Sequence, residues 1–429
     1  MNLINLLKEN CSDINKKFLF NNISSISLND VLNQDTTHLD HIKNGSVVSL
    51  IGDFDALSIS TLINLIDKNC IVVPLTKDTK IMHKYFFENS SSEYCIEDMR
   101  CVSLDYKRNA LVQKLKNENK PGIILFSTGT TGRPKAILHD FTNFIKRYKT
   151  KRAPLRTINF LLFDHIGGIN TLFHTIINNG EVFVPDARTP IGIANEIKKN
   201  NIQLLPTTPS FLRMMLIEKI FDTNLLDSLE LITYGTEKMD LNTLKNIAER
   251  TGCNIRQTYG MSELGIFKVL TKQKDDLWIR IVGDGVETKI ENEVLKIKSD
   301  IRMNGYLNAD SPFDSDGWYD TGDIVESDGD WIKIVGRNKQ IISTGGLKIL
   351  PSEVENAILN ISGIKGVKVC GEDNPILGQH ILAVIELDEA SKLNKRDIKK
   401  TLKHFLPDYA IPHKIKFEKI KYNHRFKKS

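Results

Sequence analysis

Along residues 47–260, short apolar runs alternate with longer stretches in which apolar residues recur every three or four positions. Short, mainly apolar runs bounded by turn formers read as strands, and the longer periodic stretches read as amphipathic helices. Strands are expected at 47–51, 71–74, 123–126, 158–163, 182–184, 203–205, 230–232 and 254–257, with helices at 57–66, 169–177, 191–199 and 240–250. This alternation predicts an α/β architecture of mostly parallel sheets flanked by helices, with ligands at the carboxyl ends of the strands. After Gly260 the pattern shortens to strands at 277–282, 288–290, 294–299 and 331–335 separated by Gly, Asp and Asn, predicting a small β subdomain. From Pro351 a third pattern begins. Ser352 and Glu355 have capping-box spacing ahead of a helix to about 360, followed by strands at 367–370 and 381–387 and a helix at 395–405. A large N-terminal domain over 1–337 and a small mobile α+β domain over 338–429 follow, with the boundary near 336–340.

Composition leaves this picture intact. Hydrophobic residues make up 41% and charged residues 26%, as in ordinary globular chains. No apolar run approaches the ~18 residues of a membrane span, and Lys8, Glu9, Asp13, Lys16 and Lys17 interrupt any leader-like core. The six cysteines are scattered with no CxxC pair, which argues against a disulfide framework or zinc site and suits a reducing cytoplasm. Charge is uneven: residues 339–429 hold 17 Lys and Arg against 10 acidic residues, a net of +7, whereas the preceding 338 residues are close to neutral. On charge alone, such a basic piece suits nucleotide or coenzyme phosphates, an acidic carrier protein, nucleic acid, or simply solvent.

The strongest chemical signal is Ser127, Thr128, Gly129, Thr130, Thr131, Gly132, Arg133, Pro134 and Lys135, directly after the strand at 123–126. Four hydroxyls and two glycines in six residues make a loop whose amides and side chains can wrap a polyphosphate, with Lys135 adding charge at its end. It lacks the Gly-Lys-Ser/Thr of a Walker A loop, so a P-loop ATPase or kinase is disfavoured.

This segment resembles the phosphate-binding motif of the adenylate-forming superfamily of acyl- and aryl-CoA synthetases, nonribosomal peptide synthetase adenylation domains and luciferases. Further motifs follow in the same order over residues 45–429. Tyr234-Gly235-Thr236-Glu237 resembles the adenine-binding loop. In Gln257-Thr258-Tyr259-Gly260-Met261-Ser262-Glu263, the resemblance implies that Tyr259 stacks on adenine and Glu263 helps hold Mg²⁺, with Ser262 keeping the hydroxyl of the usual threonine. In Tyr319-Asp320-Thr321-Gly322-Asp323, Asp323 would bind the ribose hydroxyls. Arg337 would contact ribose and phosphate, Lys339 would be the hinge, and Gly346 in the 344–348 loop would admit a pantetheine arm. Lys427 falls at the catalytic lysine near the C-terminus, although Phe426 stands where the family has glycine, and Lys428 is its alternative. His165 matches the histidine of the acyl-pocket segment. Asp164 fits poorly as a partner for an α-ammonium group, so the resemblance implies an acid without one, in a pocket lined from 163–173, 208–212 and 233–237.

The implied reaction joins a small carboxylic acid to AMP with release of pyrophosphate, then passes the acyl group to a thiol. ATP and Mg²⁺ would serve the first step, and CoA, or the phosphopantetheine of an acyl or peptidyl carrier protein, the second. A cytoplasmic enzyme without a nucleic-acid partner or membrane span, and with dimer contacts, is the corresponding expectation. Only 46 residues precede Val47, fewer than many members carry, which favours a smaller acid over a long-chain fatty acid. A catalytically inactive nucleotide-binding scaffold is the reading from another class, and the unusual tail keeps it open.

Overall fold

The computed structural model describes residues 3–127, 133–148, 150–273, 276–375, 377–388 and 390–420, with the backbone alone at 339. Two sheets of mostly parallel strands form the bulk of the molecule. The first runs Asn254–Gln257, Leu231–Tyr234, Leu204–Thr207, Arg156–Ile158, Glu181–Phe183, Lys17–Phe20 and Ser25–Ser27, parallel except at the last pair. The second runs Gly305–Tyr306, Ala136–Asp140, Gly122–Phe126, Ile71–Leu75, Val47–Ile51, Tyr94–Glu97 and Arg100–Ser103, with its four central strands parallel. Helices Ala56–Asp67 and Ile166–Ile177 lie in a core that draws Val48, Leu50 and Ile123 from one sheet and Leu19 and Val182 from the other. This sandwiching explains why both helices are apolar nearly all round: a helix covered on two faces has little solvent side to make polar.

A third, antiparallel sheet carries Tyr259–Met261, Gly265–Thr271, Ile279–Val282, Trp331–Arg337, Tyr319–Asp328, Val294–Ser299 and Val286–Glu291. A fourth, over 342–417, packs helices Pro351–Leu359 and Lys395–Leu402 onto the hairpin Ile364–Asn374/Gly378–Leu387 around Val354, Ile358, Ile381 and Ile398. The fold class is therefore the expected one: a large unit of mostly parallel sheets with a β subdomain, and a smaller α+β unit. Lys238 links the two. Its Nζ donates to the Val335 carbonyl at 2.7 Å and to Ser352 Oγ at 3.4 Å, and burial pulls its pKa below the usual lysine range.

Several expectations are corrected. The apolar run 158–163 is strand only to Ile158. Asn159 then turns the chain by bonding its Nδ2 to the Gly168 carbonyl, and Phe160 and Phe163 are buried as loop side chains. A continuous apolar run does not by itself distinguish a strand from a buried turn. Ser352 and Glu355 form no capping box. Pro351 starts the helix, as its fixed φ favours, so Leu350 is the N-cap and Ser352 already sits inside the first turn. Its hydroxyl bonds the Val335 carbonyl instead, while Glu355 accepts from the Val369 amide. Residues before Val47, where the pattern predicts no element, form helix Leu3–Asn10 and the two strands that extend the first sheet.

Candidate active site

The glycine- and threonine-rich segment is the connection of a β-hairpin. Strands Gly122–Phe126 and Ala136–Asp140 pair antiparallel, Phe126 facing Ala136. The base is pinned by Ser127 N–H donating to the Lys135 carbonyl (3.0 Å) and Lys135 N–H donating to Ser127 Oγ (3.3 Å). Tyr85 Oη and Asn308 Nδ2 both donate to the Pro134 carbonyl, and Asn308 Oδ1 accepts from the Ala136 amide. Residues 128–132, with the expected Thr128, Gly129, Thr130, Thr131 and Gly132, lie outside the described residues. What the structure establishes is a rigid frame at both ends of the loop.

From that frame a polar cluster spreads to the other motifs. The Lys135 ammonium lies 4.6 Å from the centroid of the Tyr306 ring, a cation–π contact. Tyr306 Oη donates to Glu263 Oε1 at 2.6 Å, and burial together with the Glu263 charge raises the Tyr306 pKa. Burial, and then the Glu263 charge, raise the pKa of Tyr319. Asp323 and Arg337 face each other directly across the antiparallel pair Tyr319–Asp328/Trp331–Arg337. Arg337 Nε donates to Asp323 Oδ1 at 2.8 Å and Tyr259 Oη to Asp323 Oδ2 at 2.6 Å. Burial disfavours the Arg337 cation, but Asp323 outweighs it and raises its pKa; burial and then Asp323 raise that of Tyr259. Each Asp323 oxygen keeps a second lone pair, so the carboxylate can still accept from a diol. Gly260 is required where it stands: a Cβ there would come 2.3 Å from the Gly265 carbonyl oxygen.

A cavity of about 880 Å³ has Thr258, the chain neighbour of Tyr259, in its wall. His165, Gly235 and Thr236 line it, together with Thr208, Thr233 and Thr258. His165 is the N-cap of helix Ile166–Ile177, its Nδ1 accepting from the Gly167 amide at 3.1 Å. Thr236 holds a left-handed φ of 70°, costly for a β-branched residue and a mark of a constrained loop. Glu237 does not line the cavity. Its Oε2 accepts from the amide and hydroxyl of Ser210 at the start of helix Pro209–Ile217, where a carboxylate complements the helix dipole. Ser262 contributes its carbonyl, which meets His139 Nε2 at 2.7 Å, and burial and then Arg147 push the His139 pKa down to about 3. Asp164 is buried and also outside the cavity lining.

The remaining expected residues stand apart. Gly345 and Gly346 form the two-residue turn of the hairpin Ile342–Thr344/Leu347–Ile349, both with positive φ as such turns require. Lys427, Lys428 and the Lys339 side chain lie outside the described residues. Sequence reasoning missed Tyr306, Tyr85, Asn308 and Arg147. Tyr306 sits on a two-residue strand, too short to show a periodicity, and Tyr85 and Asn308 act on the loop from 49 and 174 residues away in the chain. Among the described residues, no group of three or more His, Cys, Asp and Glu side chains forms a metal cluster, and no helix is long and apolar enough to cross a membrane.

Comparison with known proteins bears on this geometry. The AMP-binding enzyme family matches residues 52–302, and the AMP-binding enzyme C-terminal domain matches 353–421. The indoleacetate–CoA ligase of Aromatoleum aromaticum is 26% identical over 325 residues, covering 69% of this chain and 63% of that protein. A 2-succinylbenzoate–CoA ligase of Staphylococcus epidermidis is 26% identical over 314 residues, covering 68% and 64%. The chain thus spans somewhat under two thirds of the length of these relatives. In fold it resembles the anthranilate CoA ligase AuaEII in complex with anthranoyl-AMP (TM-score 0.82, 17% identity, 100% and 95% of the two chains covered). It likewise resembles ATP-bound MatB from Rhodopseudomonas palustris (TM-score 0.80, 18% identity, 98% and 96% covered).

Proposed function

The chain belongs to the AMP-binding enzyme family, and from that premise we propose that it activates a carboxylic acid as an acyl-adenylate and transfers the acyl group to the thiol of CoA. The observation that carries the reading is one cluster of direct contacts joining three motifs far apart in sequence: Lys135, the Tyr259–Glu263 segment, and Asp323 with Arg337. Thr258, the chain neighbour of Tyr259, shares a cavity wall with His165, Gly235 and Thr236.

In the first step a carboxylate oxygen attacks the α-phosphorus of ATP, and the bond to pyrophosphate breaks. Both reactants are anions, so positioning and charge compensation dominate the barrier. The hairpin-framed loop from Ser127 to Lys135 holds the β- and γ-phosphates. Gly235, Thr236 and Tyr259 take the adenine side, and Asp323, oriented by Tyr259 and Arg337, accepts from the ribose hydroxyls. Glu263 supplies one carboxylate, which fits Mg²⁺, an ion that takes one or two protein carboxylates and completes its shell with phosphates and water. When bound, Mg²⁺ offsets phosphate charge. Lys427 arrives from the small domain, taken as 338–429, to meet the developing charge. Turning of that domain about Lys339 then brings the Gly346 hairpin toward the adenylate, and the thiolate attacks the acyl carbon with departure of AMP.

Pyrophosphate release over a panel of short, branched, aromatic and hydroxy acids, with and without CoA, tests the reading. At least one acid should release pyrophosphate, and AMP release should become faster with CoA. Replacing both Lys427 and Lys428 by alanine should slow adenylate formation about 100-fold while leaving thioester formation from supplied acyl-adenylate. A wild-type enzyme silent across the panel would favour the scaffold reading. AMP release that responds only to a carrier protein would move the acceptor from CoA to that protein, a partner suited to the +7 charge of residues 339–429.

A further inference from the structure

Arg147 is an anomaly in the cavity wall. Its Nε donates to the Phe144 carbonyl at 2.7 Å, and its guanidinium carbon lies 4.3 Å from the centroid of the Phe144 ring. On its other side the guanidinium rests against Gly265, where a Cβ would fall 2.1 Å from Nη1. Both terminal nitrogens are buried, and neither has a hydrogen-bond partner among the described residues. No ion pair reaches this side chain among the described residues. Burial lowers its pKa, and its titratable neighbours His139 and Tyr148 supply no anion. A buried cation with four unused N–H donors is strongly unfavourable unless something anionic meets it.

The cavity that Arg147 lines is one-sided in charge. Arg152, Arg256, Lys268, His165 and His174 are also in its wall, and no Asp or Glu is among its described lining residues. An acid with only its reacting carboxylate would commit that carboxylate to the α-phosphorus and leave the guanidinium unmatched. We propose that Arg147 is a specificity-determining residue that receives a second anionic group on the substrate, so that the acid activated is a dicarboxylic acid or an aryl acid with a further carboxylate. This rests on the reading of the cavity as the acyl pocket. A planar guanidinium whose two terminal nitrogens have no partner among the described residues suits a carboxylate in a bidentate pair.

Matched acids decide it: homophthalate against phenylacetate, and glutarate against pentanoate. Pyrophosphate release should give the dianionic member of a pair the higher kcat/KM by about 100-fold or more, because a site built around a buried donor rejects the analogue that leaves it unpaired. In Arg147→Gln that ratio should fall toward one, and Arg147→Lys, which keeps the charge but not the fork, should lie between. Thermal shift without ATP supplies a second readout: homophthalate should raise the melting temperature of the wild type more than that of R147Q. If no acid releases pyrophosphate, the activation reading falls, and the thermal-shift comparison still decides the anion site. Equal treatment of both members of each pair by the wild type would overturn the inference. So would an equal loss for both members in R147Q, or the same Arg147-dependent shift with inorganic phosphate or CoA alone.

Discussion

Glu263→Gln should reduce pyrophosphate release 10²- to 10³-fold while leaving the fold intact. Glutamine keeps an oxygen that can accept from Tyr306 Oη, now 2.6 Å from Glu263 Oε1, so the local geometry survives. What disappears is the formal charge that the proposed mechanism sets next to the phosphates, and such preorganised electrostatic groups are worth about this much in rate. Raising the Mg²⁺ concentration should recover part of the activity, since the charge removed is the one that favours the ion. The measurement is initial rate against Mg²⁺ for both proteins, with circular dichroism as the control for folding. A variant with undiminished rate at low Mg²⁺ would remove Glu263 from the chemistry and leave it as a structural partner of Tyr306.

Asp323→Ala should damage stability and activity together. The residue is 3% exposed, and its carboxylate accepts from both Tyr259 Oη and Arg337 Nε. Removing it strands a buried hydroxyl and a partly covered guanidinium, at about 1–3 kcal/mol for each group left unsatisfied. Adenylate formation should fall more than 100-fold, since the diol loses its charge-assisted acceptor. Asp323→Asn separates the two effects. It retains one oxygen acceptor, so the melting temperature should recover in part while the affinity for ATP stays low. Equal melting temperatures for the wild type and Asp323→Ala would show that the Tyr259 and Arg337 hydrogen bonds contribute little to the fold.

How much could be read in advance differs between the parts of the site, for physical reasons. Buried parallel strands such as Val47–Ile51 were legible because each is a short apolar run with helical periodicity beside it; Asn254–Gln257 also lies where it was expected, although only Ile255 in it is apolar. Asp323 and Arg337 were legible one by one, but their pairing needs the register of two antiparallel strands. The hairpin that frames the Ser127–Lys135 loop was not foreseen, because no strand was assigned to Ala136–Asp140, a short run that ends in His139 and Asp140. The Ser352 cap failed because Pro351 and the Val335 carbonyl compete for that stretch of backbone. Arg147 gave no signal at all: its significance lies in the lack of partners for its terminal nitrogens among the described residues, which appears only in three dimensions.

The Lys238 bridge bears on the proposed turning of the small unit. Of the two oxygens it reaches, one belongs to Val335 in the large unit and the other to Ser352 on the first turn of helix Pro351–Leu359. In the proposed turning of the small unit, swinging that helix away would break the second bond and let water reach an ammonium group whose pKa burial has lowered. The hydration this group would recover compensates in part for the broken bond, so the joint would act as a preloaded catch, held by fit and easily undone.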